Sequence, residues 1–194
     1  MHQKGADGTR RAKRWLDSTT RTRASWTNED TVSAGRLTFN WPYGGQQPFS
    51  FDVGGLLFGE PFDRHIFMAE VKNYSNANLG KDYDDFLAKC YCVWRDQPKW
   101  SNQFMFLTWN PFRANSWTRL CQAEAITKAC VLNRVRLFGE EDEVAAHSLV
   151  DPVVVAELEE RLWLVVLSEK QERLLISDDD RALIVQSRVK KGLL

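Results

Sequence analysis

An α/β fold with a mixed central sheet is what this chain predicts, and three observations predict it. The run from His65 to Ala69 is short, apolar and without alternation, as expected of a strand covered on both faces. Leu79, Tyr83, Phe86, Leu87, Cys90 and Trp94 follow at helical spacing and predict an amphipathic helix over residues 80–95. A second apolar run, residues 103–109, comes next. A strand, a crossover helix and a further strand favour parallel pairing, whereas the turn-rich stretches before residue 66 favour hairpins, so both kinds of neighbour are expected in one sheet.

Taken in order, residues 5–18 predict a first helix whose Ala12, Trp15 and Leu16 face the core while Arg10, Lys13 and Arg14 stay in water. Residues 20–34 are polar and read as a linker. Residues 36–41 predict a first strand, the turn formers of 42–48 a hairpin loop, residues 49–58 a second strand, and residues 59–64 the turn into a third strand that ends at Lys72. After the helix over 80–95, the fourth strand closes at the turn Asn110-Pro111, and residues 117–132 predict another helix. Asp151-Pro152 is a helix start, with aspartate as cap and proline in the first turn. Residues 135–150 carry no assignable pattern, and residues 162–167 stay open to a strand reading inside an otherwise helix-rich tail. Residues 1–134 thus form a core and residues 135–194 a helix-rich C-terminal extension packed on it.

A chain of 194 residues can bury one such core. No apolar run reaches the roughly 20 residues of a membrane helix, and no apolar stretch follows the basic N-terminal segment, so no membrane partner is expected and the cytoplasm is the expected compartment. The 26 basic and 26 acidic residues cancel, which excludes a uniformly basic coat. Their distribution is uneven. Lys4, Arg10, Arg11, Lys13, Arg14, Arg21 and Arg23 face only Asp7 and Asp17 in the first 23 residues, whereas acidic residues gather at 140–143, 157–160 and 178–180. One basic face for phosphates is expected near the N-terminus, and an acidic surface for a partner protein near the other end. Cys90, Cys92, Cys121 and Cys130 lack the spacing of a zinc site and read as reduced, mostly buried thiols.

The chemistry concentrates on the third strand. Glu70 and Lys72 are two apart and therefore share a face, while Val71 points the other way. If the strand carrying Asp52 lies alongside, two carboxylates and an ammonium meet, which suits a hard divalent ion that activates water. Asp63 is a weaker candidate, since it sits in a turn without an apolar strand before it. An aspartate followed by Val53-Gly54-Gly55, and then an apolar strand ending in Glu70-Val71-Lys72, resembles the PD-(D/E)xK, or restriction-endonuclease-like, nuclease superfamily over residues 4–112. The resemblance implies an α-βββ-α-β core with a mixed central sheet flanked by helices. It implies Mg²⁺ or Mn²⁺ held by Asp52, Glu70 and the backbone carbonyl of Val71, with Lys72 beside the attacking water. It also makes Tyr83 and Lys89 candidates for the polar residue that the following helix lends to the site.

Under that resemblance the substrate is nucleic acid, DNA first, and Arg10, Lys13 and Arg14 are candidate phosphate contacts. A role in bacterial phage defence or restriction is the family analogy, and double-strand cutting would suit a two-fold homodimer. The chain departs from the family in its first helix, where Thr9 stands in place of a carboxylate, which speaks against two metals. A non-catalytic nucleic-acid-binding or assembly subunit that keeps the nuclease fold is the alternative. Trp41, Trp100 and Trp109 lie at expected strand ends or loops, where an exposed ring can stack on a base.

Overall fold

The computed structural model describes residues 2–19, 21–43, 47–73 and 78–193, with side chains from residue 5 onward. The tip of the expected hairpin loop, residues 44–46, and the Lys4 side chain lie outside the described residues. In chain order the elements are α1 (His2–Ser18), β1 (Thr22–Thr27), β2 (Thr38–Phe39), β3 (Phe49–Ser50), β4 (Val53–Leu57), β5 (Ile66–Lys72), α2 (Leu79–Asp96), β6 (Gln103–Thr108), α3 (Ala123–Leu132), α4 (Arg134–Phe138), α5 (Glu143–Leu149), α6 (Pro152–Glu159), β7 (Leu162–Val166), α7 (Glu169–Glu172) and α8 (Asp178–Lys190).

The apolar run ending at Lys72 becomes β5, the middle strand of a five-stranded sheet in the order β1-β4-β5-β6-β7. β1, β4 and β5 pair antiparallel, and β5, β6 and β7 pair parallel, so the sheet is mixed. Alternation along β5 divides the core in two. Phe67, Ala69 and Val71 pack with Ala12 and Leu16 of α1, whereas Met68 points to the opposite face, among Phe86, Leu87 and Cys90 of α2 and Phe104 and Phe106 of β6. Each fully buried side chain of this size contributes about 1.5–3 kcal/mol, so both faces of the sheet are strongly committed. Among the described residues no helix is long and apolar enough to cross a membrane.

Several expected boundaries move. The stretch read as a polar linker holds β1, an edge strand whose Thr-Arg-Ala-Ser-Trp-Thr sequence buries too little to show a pattern. The expected first strand shrinks to β2, and the expected second strand breaks at Phe51-Asp52, so that β2 and β3 form a separate two-stranded ribbon while β4 alone enters the sheet. β1 lies close to β4 because Gly55 has no side chain: a Cβ there would stand 2.4 Å from the Ala24 carbonyl oxygen and 2.5 Å from the Phe67 ring. The helix expected over 117–132 is a 3₁₀ segment, Ala114–Arg119, followed by α3.

Residues 135–150, unassigned from sequence, contribute most of α4 and all of α5, whose start is capped by the Asp142 side chain accepting from the Ala145 N–H at 2.7 Å. The expected start at Asp151-Pro152 is present: Asp151 accepts from the N–H groups of Val153 and Val154 and opens α6. The tail is helix-rich apart from β7, which is a strand of the central sheet itself rather than an addition to its surface.

Candidate active site

Asp52 sits where the chain crosses from the ribbon to the sheet. Phe51 N–H still donates to Leu37 on the ribbon side, at 3.0 Å, and Asp52 N–H donates to Ala69 of β5 at 2.9 Å. β4 pairs with β5 only as far as Val53 opposite Ala69. Beyond that point the Asp52 side chain takes over the ladder: Oδ2 accepts the Val71 N–H at 2.8 Å, and Oδ1 accepts Asn28 Nδ2 at 3.2 Å. The carboxylate is thereby pinned to the backbone between Glu70 and Lys72.

Glu70 is only 6% exposed and points to the α2 face of the sheet. Its Oε1 meets Lys72 Nζ at 2.9 Å and its Oε2 meets Lys89 Nζ at 3.0 Å, while Lys89 also donates to the Ser50 carbonyl at 3.2 Å. β5 therefore presents Glu70 and Lys72 on one face as the alternation requires, and α2 brings Lys89 across to complete an ammonium–carboxylate–ammonium row. Burial by itself would raise the Glu70 carboxyl, but the charges of Lys89 and Lys72 outweigh it and hold the group below the ordinary carboxylate range. Asp52 goes the other way. Burial first and the charge of Glu70 second push its carboxyl up to about 6, against the pull of the Val71 N–H and the two lysines.

A cleft of about 380 Å³ opens onto this row. Glu70, Lys72 and Lys89 line its floor, Asp82 and Asp85 of α2 flank them, and Trp41, Phe49 and Arg136 line its outer wall; Asp52 is not among its lining residues. Arg136 was not expected from sequence, because it lies in the stretch without a pattern, and Asn28 was hidden in the apparent linker. Arg136 stacks over Trp41 at 4.5 Å from the ring centroid and pairs with Asp85 of α2 at 2.8 Å.

Of the remaining candidates, Tyr83 is corrected: it is fully buried in the core, its hydroxyl donates to the Leu120 carbonyl at 2.9 Å, and burial drives that hydroxyl's pKa upward. Its helical position is inward, one of the apolar stripe. Arg10, Lys13 and Arg14 lie together on the outer side of α1, lining a separate pocket with Asp178 and Arg181, with Arg10 3.4 Å from Glu29 and Lys13 2.7 Å from Asp17. They are not in the cleft. Thr9 is buried and donates back to the Gly5 carbonyl at 3.2 Å, within its own helix. His65 contacts Gln103, at 3.3 Å, rather than the carboxylates, and Asp63 caps its turn by accepting the Gly59 N–H at 3.0 Å. All four cysteines are unbridged, and burial raises each thiol above its ordinary value.

The donor set fits a hard divalent cation within limits. Asp52, lifted to about 6 by burial first and by the charge of Glu70 second, gains with Glu70 from a cation placed against both, and each oxygen of Glu70 keeps a lone pair beyond the one its lysine uses. Among the described residues no group of three or more acidic, histidine or cysteine side chains forms a ligand cluster. An ion here would lean on Asp52, Glu70, a backbone carbonyl and several waters, which is the ordinary manner of Mg²⁺. Comparison of the chain with protein-family models, with curated proteins and with solved structures finds no match.

Proposed function

We propose that the chain is a metal-dependent nuclease with a restriction-endonuclease-like core, hydrolysing phosphodiester bonds of nucleic acid, with DNA as the first substrate to test. The observation that carries the reading is the join at Val71: its N–H holds the Asp52 carboxylate while its two neighbours, Glu70 and Lys72, project together onto the floor of a cleft. The order of elements supports it as well, since α1, the antiparallel strands β1, β4 and β5, the crossover helix α2 and the parallel strand β6 follow the α-βββ-α-β pattern that the resemblance implies.

Asp52, Glu70 and the Val71 carbonyl are the oxygen donors for Mg²⁺ or Mn²⁺. Bound there, the ion would supply Lewis-acid polarisation of the phosphoryl oxygens and a more acidic water. Lys72, on the cleft floor, orients the attacking water and offsets negative charge that grows on the phosphoryl oxygens. Its contact with Glu70 favours the ammonium form, so positioning and charge stabilisation are its roles rather than proton abstraction. Lys89 fixes the second oxygen of Glu70 and ties the ribbon to α2 through Ser50.

The test incubates purified protein with plasmid, single-stranded DNA and RNA in Mg²⁺, in Mn²⁺ or in chelator. Cleavage that needs the metal and is lost in Asp52→Asn, Glu70→Gln and Lys72→Ala supports the proposal; equal cutting by the parent and these variants places the activity elsewhere. One observation favours a second reading, a non-catalytic nucleic-acid-binding subunit on the same fold: both oxygens of Glu70 already carry an ammonium, and Thr9 brings no carboxylate to the site. Binding of nucleic acid without cleavage in any metal would favour it.

A further inference from the structure

The walls of the cleft restrict what can reach Glu70. The carboxylate and both ammoniums beside it are largely withdrawn from solvent, with side-chain exposures of 8% for Glu70, 18% for Lys72 and 16% for Lys89. About 380 Å³ is near the lower end of the ~300–1,000 Å³ typical of small-molecule pockets. A space of that size suits a single nucleotide unit. The outer wall is packed together: Trp41 lies on Phe49 at 4.4 Å, Phe49 on Phe39 at 5.8 Å, and the Tyr43 N–H donates to the Arg136 carbonyl at 3.0 Å. A base inside a duplex has both faces stacked on its neighbours and cannot lie on this wall, whereas an unpaired base can.

The wall also carries the chemistry an unpaired strand needs. The Arg136 guanidinium is backed by Trp41 on one side, its side chain is 40% exposed, and the Nη2 that it gives to Asp85, itself 33% exposed, also serves Asn133, so the guanidinium offers a plane for a base and its remaining N–H groups for a phosphate. Bases that are not held in a helix stack on guanidinium planes and aromatic rings whatever their sequence. We propose that the cleft accepts an unpaired strand of nucleic acid, with Arg136 on its Trp41 backing as the ledge that grips the nucleotide beside Glu70. This rests on Glu70 and Lys72 being the reacting centre, and it adds which form of nucleic acid is taken and which residue selects it.

The experiment measures binding in chelator, where cutting cannot interfere, by fluorescence anisotropy of a labelled single-stranded DNA and of the same strand in a duplex. The parent should bind the single strand at least about tenfold more tightly than the duplex, and Arg136→Ala should lose about tenfold on the single strand. Arg136→Lys keeps the charge without the plane and should recover only part of that loss. Asp85→Asn removes the rival carboxylate and should tighten single-strand binding, a gain that a misfolded variant cannot mimic. Equal affinity for duplex and single strand, or Arg136→Ala and Asp85→Asn variants indistinguishable from the parent, overturns the proposal. Failure of the nuclease reading looks different: no metal-dependent cleavage, with the Arg136-dependent preference for single strands intact.

Discussion

Asp52 and Glu70 are neighbours pushed in opposite directions, and that contrast is measurable. A carboxyl raised to about 6 in the folded chain favours its protonated form there, so the stability it contributes is present at acid pH, below its unfolded value near 3.8, and is lost as pH rises through about 6. Asp52→Asn removes the loss. Asn28 can turn its amide to present oxygen to the new side chain, while the new carbonyl still accepts the Val71 N–H. Chemical denaturation of parent and variant should agree near pH 4 and diverge towards pH 7–8, with Asp52→Asn more stable there by about 1–3 kcal/mol. A constant difference across that range would mean that burial and the Glu70 charge do not raise Asp52 in the folded chain. Glu70 shows the reverse sensitivity, since Glu70→Gln removes the carboxylate that two largely buried ammoniums share, whereas Lys89→Met leaves Glu70 paired with Lys72. Urea unfolding should find Glu70→Gln the more costly of the two, by about 1–3 kcal/mol against the parent.

At the level of elements, β5, α2 and β6 were legible because their periodicity is set by burial on known faces. The expectation that Val71 faces away from Glu70 holds, and Val71→Asp, which puts a charge among Ala12, Leu16 and Phe67, should cost several kcal/mol in a thermal melt. What was not legible is β1, because an edge strand whose apolar residues are Ala24 and Trp26 leaves no apolar pattern, and its place is fixed instead by the glycines of β4 opposite it. Gly55→Ala would force a methyl to within 2.4 Å of the Ala24 carbonyl, so β1 must move away. We expect Gly55→Ala to lower the melting midpoint by at least about 2 °C, the shift that 1 kcal/mol or more would give in a chain of this length, and to speed hydrogen exchange in residues 22–27 before the rest of the sheet. The site was half legible for the same reason: Asp52, Glu70, Lys72 and Lys89 lie on elements with a pattern, while Asn28 and Arg136 lie on segments without one.

Across the whole molecule, the charge asymmetry of the sequence is answered in part within the fold. Arg11 grips Glu172 of α7 at 2.9 and 2.5 Å, Lys13 meets Asp17 within α1, and Arg10 meets Glu29 at the surface, so three of the basic side chains of the first helix face carboxylates of the fold. Replacing Arg10, Lys13 and Arg14 together by Ala should leave the affinity for single-stranded DNA within about twofold and its salt slope unchanged, since a lost phosphate contact would reduce that slope by about one unit. The same closure makes the C-terminal part structural. Residues 151–194 supply β7, which pairs with β6 along Phe104 to Thr108, and α6, whose Val155 and Leu158 are buried against α2 and α3. A chain ended at Val150 would expose the β6 edge, and with it a row of unpaired backbone groups beside Phe104 and Phe106. It should show no cooperative thermal transition and should aggregate, even though Asp52, Glu70, Lys72 and Lys89 are all retained. A cooperative melt within a few degrees of the parent would mean that β7 is an addition to a four-stranded sheet complete without it.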